Sequence, residues 1–471
     1  MSLFIKKYAI LILLLLGFAT RFAWIWYPPN VVWDEQHFCN FTKGYLEGKY
    51  FFDIHPPLGK LILLGGLKTF GATTKDLDCA IGNAYPKDYP YVASRIFPAT
   101  AGSLLPAIIY GVGNALSLSP AASFFAAAFV LLDNATFADS HFGLIDIFVP
   151  FFGFLALLFF LRHRKQEPYG GAWWAWLLGA AVSAALTIGI KWTGGGMLLV
   201  MGVATVMEAV NRKSFMLLLA RAGVFGAAVA AVYALLFAVH FKLLPLSGPG
   251  DAFMSERFRV SLSGTTEQQK KELKPLPFFE KLIEVNKKMF NVNAAQDLKH
   301  QDSSRFYEWP VGRRRIYFWV DKLDGMKRIF LLANPVVWLF GTITFYGSIL
   351  YVVFRRKALQ ALVQKNAQWR ERLYALEILL LAYFANYLPF IAISRAMFLY
   401  HYFSSLIASL LIGSFIVFDL VPALEQAPPK TKTKLPAPRE HRYAYWILIV
   451  ICVAAFILFS PLSYGYKPFF K

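Results

Sequence analysis

The sequence is poor in charged residues, and acidic residues are the scarcer kind. Only 16% of its 471 residues are charged, with 28 acidic side chains against 48 basic ones. Because so few charges cannot cover the surface of a soluble protein of this size, that class is excluded. The chain is instead 57% hydrophobic with a mean hydropathy of +0.48, a composition typical of a polytopic membrane protein.

Several signatures of other protein classes are also missing. The sequence has no internal repeat and no Cys/His cluster with metal-ligand spacing, and Gly194-Gly195-Gly196 is not followed by Lys-Ser or Lys-Thr. A nucleotide-binding loop is therefore not expected, no cofactor is demanded, and a divalent cation stays open. The net charge of +20 would suit nucleic acid, but the basic residues fall in loops between apolar segments. Membrane topology explains them better, so we expect no nucleic-acid partner.

Long apolar runs are what the sequence does contain. A run of about 17 to 25 residues crosses the hydrocarbon core as a helix, because each backbone amide must be bonded within its own segment. The first run follows Lys6-Lys7 without a small-residue cleavage site, which indicates a retained helix. The pattern predicts an all-α fold of about eleven spans, near residues 8–26, 93–113, 121–138, 143–161, 172–190, 194–210, 215–241, 329–353, 373–391, 397–418 and 444–460.

The basic residues of the short loops predict the orientation. Lys and Arg collect on the cytoplasmic side, which places the amino terminus inside and the carboxyl terminus outside. The two long loops, 27–92 and 242–328, then face out, and the Pro- and Lys-rich segment 419–443 is expected to be a cytoplasmic linker. Cys39 and Cys79 share the first loop and could form a disulfide.

The first loop also carries apolar residues at helical spacing between polar faces. This predicts short amphipathic helices lying in the membrane interface. The residues are Phe41, Tyr45 and Leu46, followed by Leu58, Leu61, Ile62 and Leu64.

Two adjacent carboxylates, Asp34 and Glu35, come directly after the first span. An acid placed where an apolar span meets a solvated loop sits in a partly low-dielectric setting, which raises its basicity and suits a group that removes a proton. The alternative is that the pair only begins a solvated helix.

Other ionisable residues fall at the outer ends of the predicted spans. A transporter would carry some of them near the midplane, so their one-sided placement predicts an enzyme with a cavity open to the outer face. Four of the five residues below also have a structural alternative. Arg95 could snorkel to the interface, Asp133 could cap a helix, Lys191 could be an interfacial anchor and His401 could be a helix-packing residue. The five residues are Arg95, Asp133, Lys191, Arg395 and His401.

These polar motifs strongly resemble the protein O-mannosyltransferase family, and their order along the chain is the same. The resemblance is carried by Asp34-Glu35-x-His37-Phe38, Tyr50-Phe51-Phe52-Asp53-Ile54-His55-Pro56-Pro57-Leu58-Gly59-Lys60, Ser94-Arg95-Ile96-Phe97-Pro98, Leu132-Asp133-Asn134, Ile190-Lys191-Trp192-Thr193-Gly194, Asn334-Pro335-Val336-Val337-Trp338 and Phe398-Leu399-Tyr400-His401-Tyr402. There are two departures. Ser140-His141 stands where family members often have Ser-Arg, and the stretch between Ser255 and His300 is too short for a MIR domain.

The resemblance implies one membrane domain over residues 1–471 with a GT-C type of glycosyltransferase fold. It further implies inverting transfer of mannose from a polyprenyl (dolichyl-type) phosphate carrier to Ser or Thr hydroxyls of exported proteins. The alternatives are a related transferase with a lipid or glycan acceptor, and a transporter of lipid-linked sugar. The expected location is the plasma membrane of a prokaryote, or the endoplasmic reticulum membrane of a eukaryote, with the site on the extracytoplasmic side.

The resemblance implies the role of the aspartate, and the placement of the other polar residues at the outer ends of the spans suggests theirs. Asp34 is expected to be the general base and Glu35 to position the base or the acceptor. Four cations are expected to bind the donor phosphate, namely Arg95, Lys191, Arg395 and His401. Acceptor binding or structural support is expected of Asp53, His55, Asp133 and Tyr400, and no metal ligand is assigned.

Overall fold

The computed structural model describes residues 2–266, 273–295, 300–365, 367–422 and 441–469. Helices dominate these ranges. In chain order they are α1 (Ser2–Phe22), α2 (Glu35–Glu47), α3 (Leu58–Thr69), α4 (Tyr91–Ala115), α5 (Pro120–Leu131), α6 (Asn134–His141), α7 (Phe148–His163), α8 (Gly171–Ile190), α9 (Gly195–Asn211), α10 (Phe215–Leu243), α11 (Glu256–Arg259), α12 (Phe278–Ala295), α13 (Pro335–Phe354), α14 (Arg356–Lys365), α15 (Ala367–Ala385), α16 (Phe403–Phe415) and α17 (His441–Tyr464).

Eight helical stretches in the described ranges are long and apolar enough to cross a membrane. The chain is therefore an integral, multi-pass membrane protein. The stretches are Tyr91–Ala115, Gly171–Ile190, Trp192–Asn211, Phe215–Leu243, Pro335–Phe354, Ala367–Ala392, Leu399–Leu420 and Trp446–Tyr464. The predicted total of about eleven would also need α1, α7 and the pair formed by α5 and α6, so that number stays a prediction.

The predicted span at 121–138 is broken rather than continuous. Helices α5 and α6 meet at an angle of 56°. The break falls where Asp133 leaves helical geometry, with φ −86° and ψ 121°, and its side chain accepts a hydrogen bond from the backbone N–H of Thr136. An aspartate in this conformation ends one helix and caps the next, because it supplies an acceptor to an otherwise unbonded amide.

A small β-hairpin corrects the prediction of a purely helical fold. Strand β1 (Ile316–Val320) pairs antiparallel with β2 (Arg328–Leu331), so the predicted start of a span at residue 329 is wrong. The apolar run there is a mostly buried strand, and the helix begins only at Pro335, after Asn334 caps it. Length and composition cannot separate a short apolar strand from the first turns of a helix.

The first large loop folds as its apolar spacing predicts. Helices α2 and α3 cover both predicted amphipathic segments, and Cys39 of α2 is bonded to Cys79 with an S–S distance of 2.06 Å. The disulfide is thus confirmed, whereas the interfacial position of the helices stays a prediction. Most of the expected linker at 419–443 lies outside the described residues, but 419–422 continue a helix and 441–443 open α17.

Helix α4 organises the packing around the first large loop. It contacts α1, α3, α5, α6 and α7, and it is buried along most of its length. One end of α4 carries Arg95, so the loop that follows α1 is held against the helix bundle at that end.

Candidate active site

The turn from Val31 to Glu35 carries the two carboxylates, and strand β1 of the hairpin packs against it. The backbone N–H of Trp33 donates to the carbonyl oxygen of Phe318 in β1 at 3.1 Å, and the two rings stack with centroids 5.6 Å apart. Trp33 has a φ of 44°, in the left-handed region that a residue with a Cβ rarely adopts. Such a conformation persists only where the surroundings enforce it, which marks this turn as a specified feature.

Glu35 is buried and its carboxylate is fully engaged. Its Oε1 accepts hydrogen bonds from Arg95 Nε and the Gly143 backbone N–H, each at 2.8 Å. Its Oε2 accepts from the Val32 N–H at 3.0 Å, from Arg95 Nη2 at 3.0 Å and from the Tyr85 hydroxyl at 3.4 Å. A carboxylate has about four acceptor sites, so Glu35 has none left for a substrate.

Arg95 is equally saturated. Besides the two bonds to Glu35, its guanidinium donates to the carbonyl oxygens of Ile25, Pro28 and Asn30 at 3.0 to 3.2 Å. A guanidinium has five N–H donors, and all five are used here in a site that solvent does not reach. The geometry therefore favours a role in fixing the turn after α1 over contact with a donor phosphate, and it leaves no room for snorkelling.

Asp34, one residue earlier, has a different environment. It precedes the first residue of α2 but makes no capping bond, and its carboxylate has no hydrogen bond or ion pair within the described part of the chain. Burial raises the pKa of the Asp34 carboxyl to about 6. The neighbouring His37 opposes that rise, and the neighbouring Asp146 adds to it. A carboxylate with a pKa near neutrality is suited to take a proton at physiological pH.

Lys191 lies beyond the end of α8 and pairs with Asp146 at 2.6 Å. Its ammonium also lies 5.1 Å from the centroid of the Tyr400 ring. Both members of the pair are mostly buried, and they line a small cavity together with Tyr400 and His401. Asp34 is not part of the cavity wall, but its carboxylate is close enough to Lys191 and Asp146 to interact with them electrostatically.

A larger cavity of about 380 Å³ adjoins the small one, with Lys191 and His401 common to both walls. Its wall also includes His55 and Arg395. Burial and the charge of Lys191 push the pKa of His55 well below its usual range, so this imidazole is neutral at pH 7. The half-buried guanidinium of Arg395 makes no hydrogen bond or ion pair with a described residue, unlike Arg95 and Lys191.

Two of the predicted support residues lie in structural contacts. Asp53 pairs with the buried ammonium of Lys60, which also donates to the carbonyl oxygens of His55 at 2.9 Å and Pro56 at 3.1 Å. The pair fixes the His55-Pro56-Pro57 turn at the cavity. Asp133 caps α6 and accepts from Trp338 Nε1 at 2.7 Å, away from the cavity wall.

Asp146 is not among the site residues predicted from the sequence. The signal that was present is the rarity of charge inside apolar helices, which marks such a residue as functional. Asp139 belongs to the same group, because it is buried in α6 and interacts electrostatically with Asp146, Lys191 and Asp34. Among the described residues, no three His, Cys, Asp or Glu side chains are grouped so that they could hold a metal ion.

Two solved structures of membrane glycosyltransferases have a similar fold. The S. cerevisiae protein O-mannosyltransferase Pmt1–Pmt2 complex bound to the sugar donor is similar with a TM-score of 0.86 and 18% identity, over 98% of this chain and 90% of that one. The archaeal oligosaccharyltransferase AglB from Archaeoglobus fulgidus is similar with a TM-score of 0.56 and 16% identity, over 98% of this chain and 56% of that one. The fold is that of the GT-C membrane glycosyltransferases.

Sequence comparison then identifies the family. The family model described as dolichyl-phosphate-mannose-protein mannosyltransferase matches residues 11–245. A second family model, described as the C-terminal four TMM region of protein-O-mannosyltransferase, matches residues 278–469. The chain belongs to the protein O-mannosyltransferase family.

The named relatives are longer proteins. Dolichyl-phosphate-mannose--protein mannosyltransferase 4 of Schizosaccharomyces pombe is 33% identical over 270 residues, which cover 55% of this chain and 35% of the relative. The match with the Candida albicans protein of the same name covers 64% of this chain and 40% of that relative. The chain thus spans well under half the length of these relatives.

Proposed function

We propose that this protein transfers mannose from a polyprenyl (dolichyl-type) phosphate-mannose donor to Ser or Thr hydroxyls of a polypeptide. The observation that carries the proposal is a carboxylate near a cavity, each with a group that has no partner among the described residues. The carboxylate of Asp34 interacts electrostatically with Lys191, and the cavity lined by Lys191 also has the guanidinium of Arg395 in its wall. Membership of the family and the names of the relatives support the choice of donor and acceptor.

The reaction needs one base and one anion-stabilising group. The acceptor hydroxyl oxygen bonds to C1 of mannose from the face opposite the leaving group, and its proton passes to Asp34. The bond from C1 to the phosphate oxygen breaks, and the carrier departs as a phosphate monoester with one more negative charge. Because this leaving group needs no proton, a single carboxylate suffices, in contrast with the paired acids of glycoside hydrolysis.

Arg395 is the best-placed group to receive the leaving phosphate. It lines the larger cavity and has no hydrogen-bond or ion-pair partner among the described residues, and a guanidinium can bind two phosphate oxygens at once. His401 and His55 line the same wall and can donate hydrogen bonds, while Lys191 adds positive charge that its pairing with Asp146 partly offsets. Tyr400 is buried beside Lys191 and supports the small cavity.

Glu35 and Arg95 then serve as positioning residues. Their buried pair holds residues 25–30, the amide of Val32 and the amide of Gly143 in one place. Asp34 stands at the end of this turn, so the backbone that carries its carboxylate is held in place, while the carboxylate itself has no hydrogen bond to a described residue. A base that is oriented in advance needs no rearrangement at the moment of reaction.

The site is proposed to face the extracytoplasmic side of a plasma membrane or of the endoplasmic reticulum. The basic residues of the short loops support this orientation, since they follow the ends of α7, α9 and α13, whereas the first residues of α7 lie near the cavity. No cofactor is proposed.

The deciding experiment incubates purified full-length protein in vesicles with radiolabelled polyprenyl-phosphate-mannose and a Ser/Thr-rich peptide. Label on the peptide is expected, and it should be released by β-elimination as an O-linked sugar. Label on a lipid or glycan alone would favour the alternative acceptor class. Movement of intact donor across the vesicle membrane without any transfer would favour a transporter and overturn the proposal.

A further inference from the structure

Helix α12, in the second large loop, has two apolar faces instead of one. The first face, with Val285 and Met289, is buried against the protein. The second consists of Phe279, Ile283 and Phe290, whose exposed fractions are 69%, 53% and 63%. Exposed apolar residues scattered singly are ordinary, but three large ones on one helix of a loop need a partner.

The three exposed residues form a stripe. With about 100° of rotation per residue, Phe279, Ile283 and Phe290 fall within an arc of roughly 40° on the helix. The side of the helix next to this arc carries charge, with Glu280 and the exposed Lys287. An apolar stripe flanked by charged residues, on a helix too polar to span a bilayer, is typical of a helix lying in the membrane interface.

Helix α12 lies beside a candidate membrane span. Helix α12 is held on α10 by a hydrogen bond of 2.6 Å from the Tyr233 hydroxyl to Asn286 Oδ1. Helix α10 is a candidate span that exposes Leu235 and Val239 toward its end nearest the loop. The stripe therefore lies on a helix that is attached to a candidate membrane span.

The other edge of α12 reaches the larger cavity. Phe290, Asn293 and Ala294 belong to the cavity wall, and Asn293 Nδ2 donates to the carbonyl oxygen of Ile54 at 3.0 Å. Phe290 is thus both the last residue of the exposed stripe and part of the wall.

We propose that α12 lies in the bilayer surface next to the cavity, with Phe279, Ile283 and Phe290 inserted at the boundary between head groups and hydrocarbon. The partner of the stripe is bilayer lipid, because charged residues flank the stripe and α12 is attached to the candidate span α10. The mouth of the cavity then opens at the level of the lipid phosphates. A lipid-linked substrate would reach Arg395 without its hydrocarbon chain leaving the membrane.

The proposal does not depend on mannose transfer, so its failure and that of the proposed function can be told apart. Among the native cysteines, Cys39 and Cys79 are bonded to each other and Cys452 is buried. A single introduced cysteine in the full chain can therefore carry a nitroxide spin label. The test variants are Phe279→Cys and Ile283→Cys, and Asn291→Cys is the matched control because it is exposed on another side of the same helix.

Each labelled protein is placed in phosphatidylcholine vesicles, and the relaxation of the label by dissolved oxygen is compared with its relaxation by a water-soluble nickel chelate. Oxygen concentrates in hydrocarbon and the chelate in water, so the ratio reports depth. We expect the ratio at positions 279 and 283 to exceed that at 291 several-fold. Equal ratios at all three positions, or labels at 279 and 283 shielded from both reagents by a protein partner, would overturn the proposal.

Discussion

Asp34 and Glu35 are consecutive carboxylates with opposite surroundings. Glu35 receives five hydrogen bonds and faces a guanidinium that has no donor to spare, whereas the Asp34 carboxylate has no described partner and a pKa raised to about 6. One acid is therefore held in a saturated ion pair, and the other is available to take a proton during a reaction. The difference shows that the two acids have separate roles. Glu35 fixes the turn, and Asp34 is the carboxylate that the turn carries.

The largest effect on stability should come from removing the charge of Glu35. Glu35→Gln leaves the buried guanidinium of Arg95 without a counter-ion, which costs about 3–5 kcal/mol in other buried pairs. We expect a large loss of stability in denaturant or thermal unfolding of the purified protein. Glu47→Gln on the same helix is the control, because Glu47 pairs with an exposed Lys49 and should change stability by less than about 1 kcal/mol. Equal effects of the two changes would contradict the assigned role of Glu35.

The next effect concerns the disulfide that links α2, the helix that begins at Glu35, to Cys79. Cys79→Ser opens the bond to Cys39, and losing a native disulfide that closes a loop of this size costs about 2–4 kcal/mol. Because the Asp34 turn is held separately by Arg95, the folded variant should keep its turnover at low temperature. Parallel measurement of unfolding and of mannose transfer would show this, and loss of turnover in protein that is still folded would mean that the turn depends on the disulfide.

Much of this arrangement could be predicted from the sequence, and the rest shows where such prediction ends. Helices α2 and α3 followed from local apolar spacing, and Asp34 stood out because charge is scarce near the spans. The saturation of Arg95 could not be predicted, because its partner Glu35 lies 60 residues away and only the fold brings them together. The same holds for Lys191 and Asp146, which are 45 residues apart.

A smaller effect is expected at the phosphate end of the site. Arg395→Lys keeps the positive charge but loses the bidentate contact with the phosphate. The value of kcat/KM at low donor concentration should therefore fall about tenfold, which corresponds to ~1.4 kcal/mol, and it should fall further in Arg395→Ala. Arg313→Lys is the matched control, since Arg313 is exposed beside Glu308. Full activity of Arg395→Lys would show that no bidentate contact forms, and attention would then move to Lys191 and His401.

The smallest effect is a shift in pH dependence. Asp34 acts as a base only when deprotonated, so kcat/KM should rise with pH and level off above a pKa of about 6, with half the plateau value at the pKa. His37 opposes the rise in that pKa, so His37→Gln should move the limb to higher pH. A pH profile from 5 to 8 at low donor concentration measures both, and an unmoved limb would show that another group titrates.

The most direct test of the account compares Asp34→Asn with the wild-type protein in one preparation. Asparagine keeps the size of the side chain and cannot take the proton, and no described bond depends on the carboxylate. We predict that single-turnover transfer at saturating donor falls by at least about 10²-fold while thermal unfolding and donor binding stay unchanged. Retention of more than about a tenth of the wild-type rate, or a loss of rate explained by unfolding, would contradict the claim that Asp34 is the base.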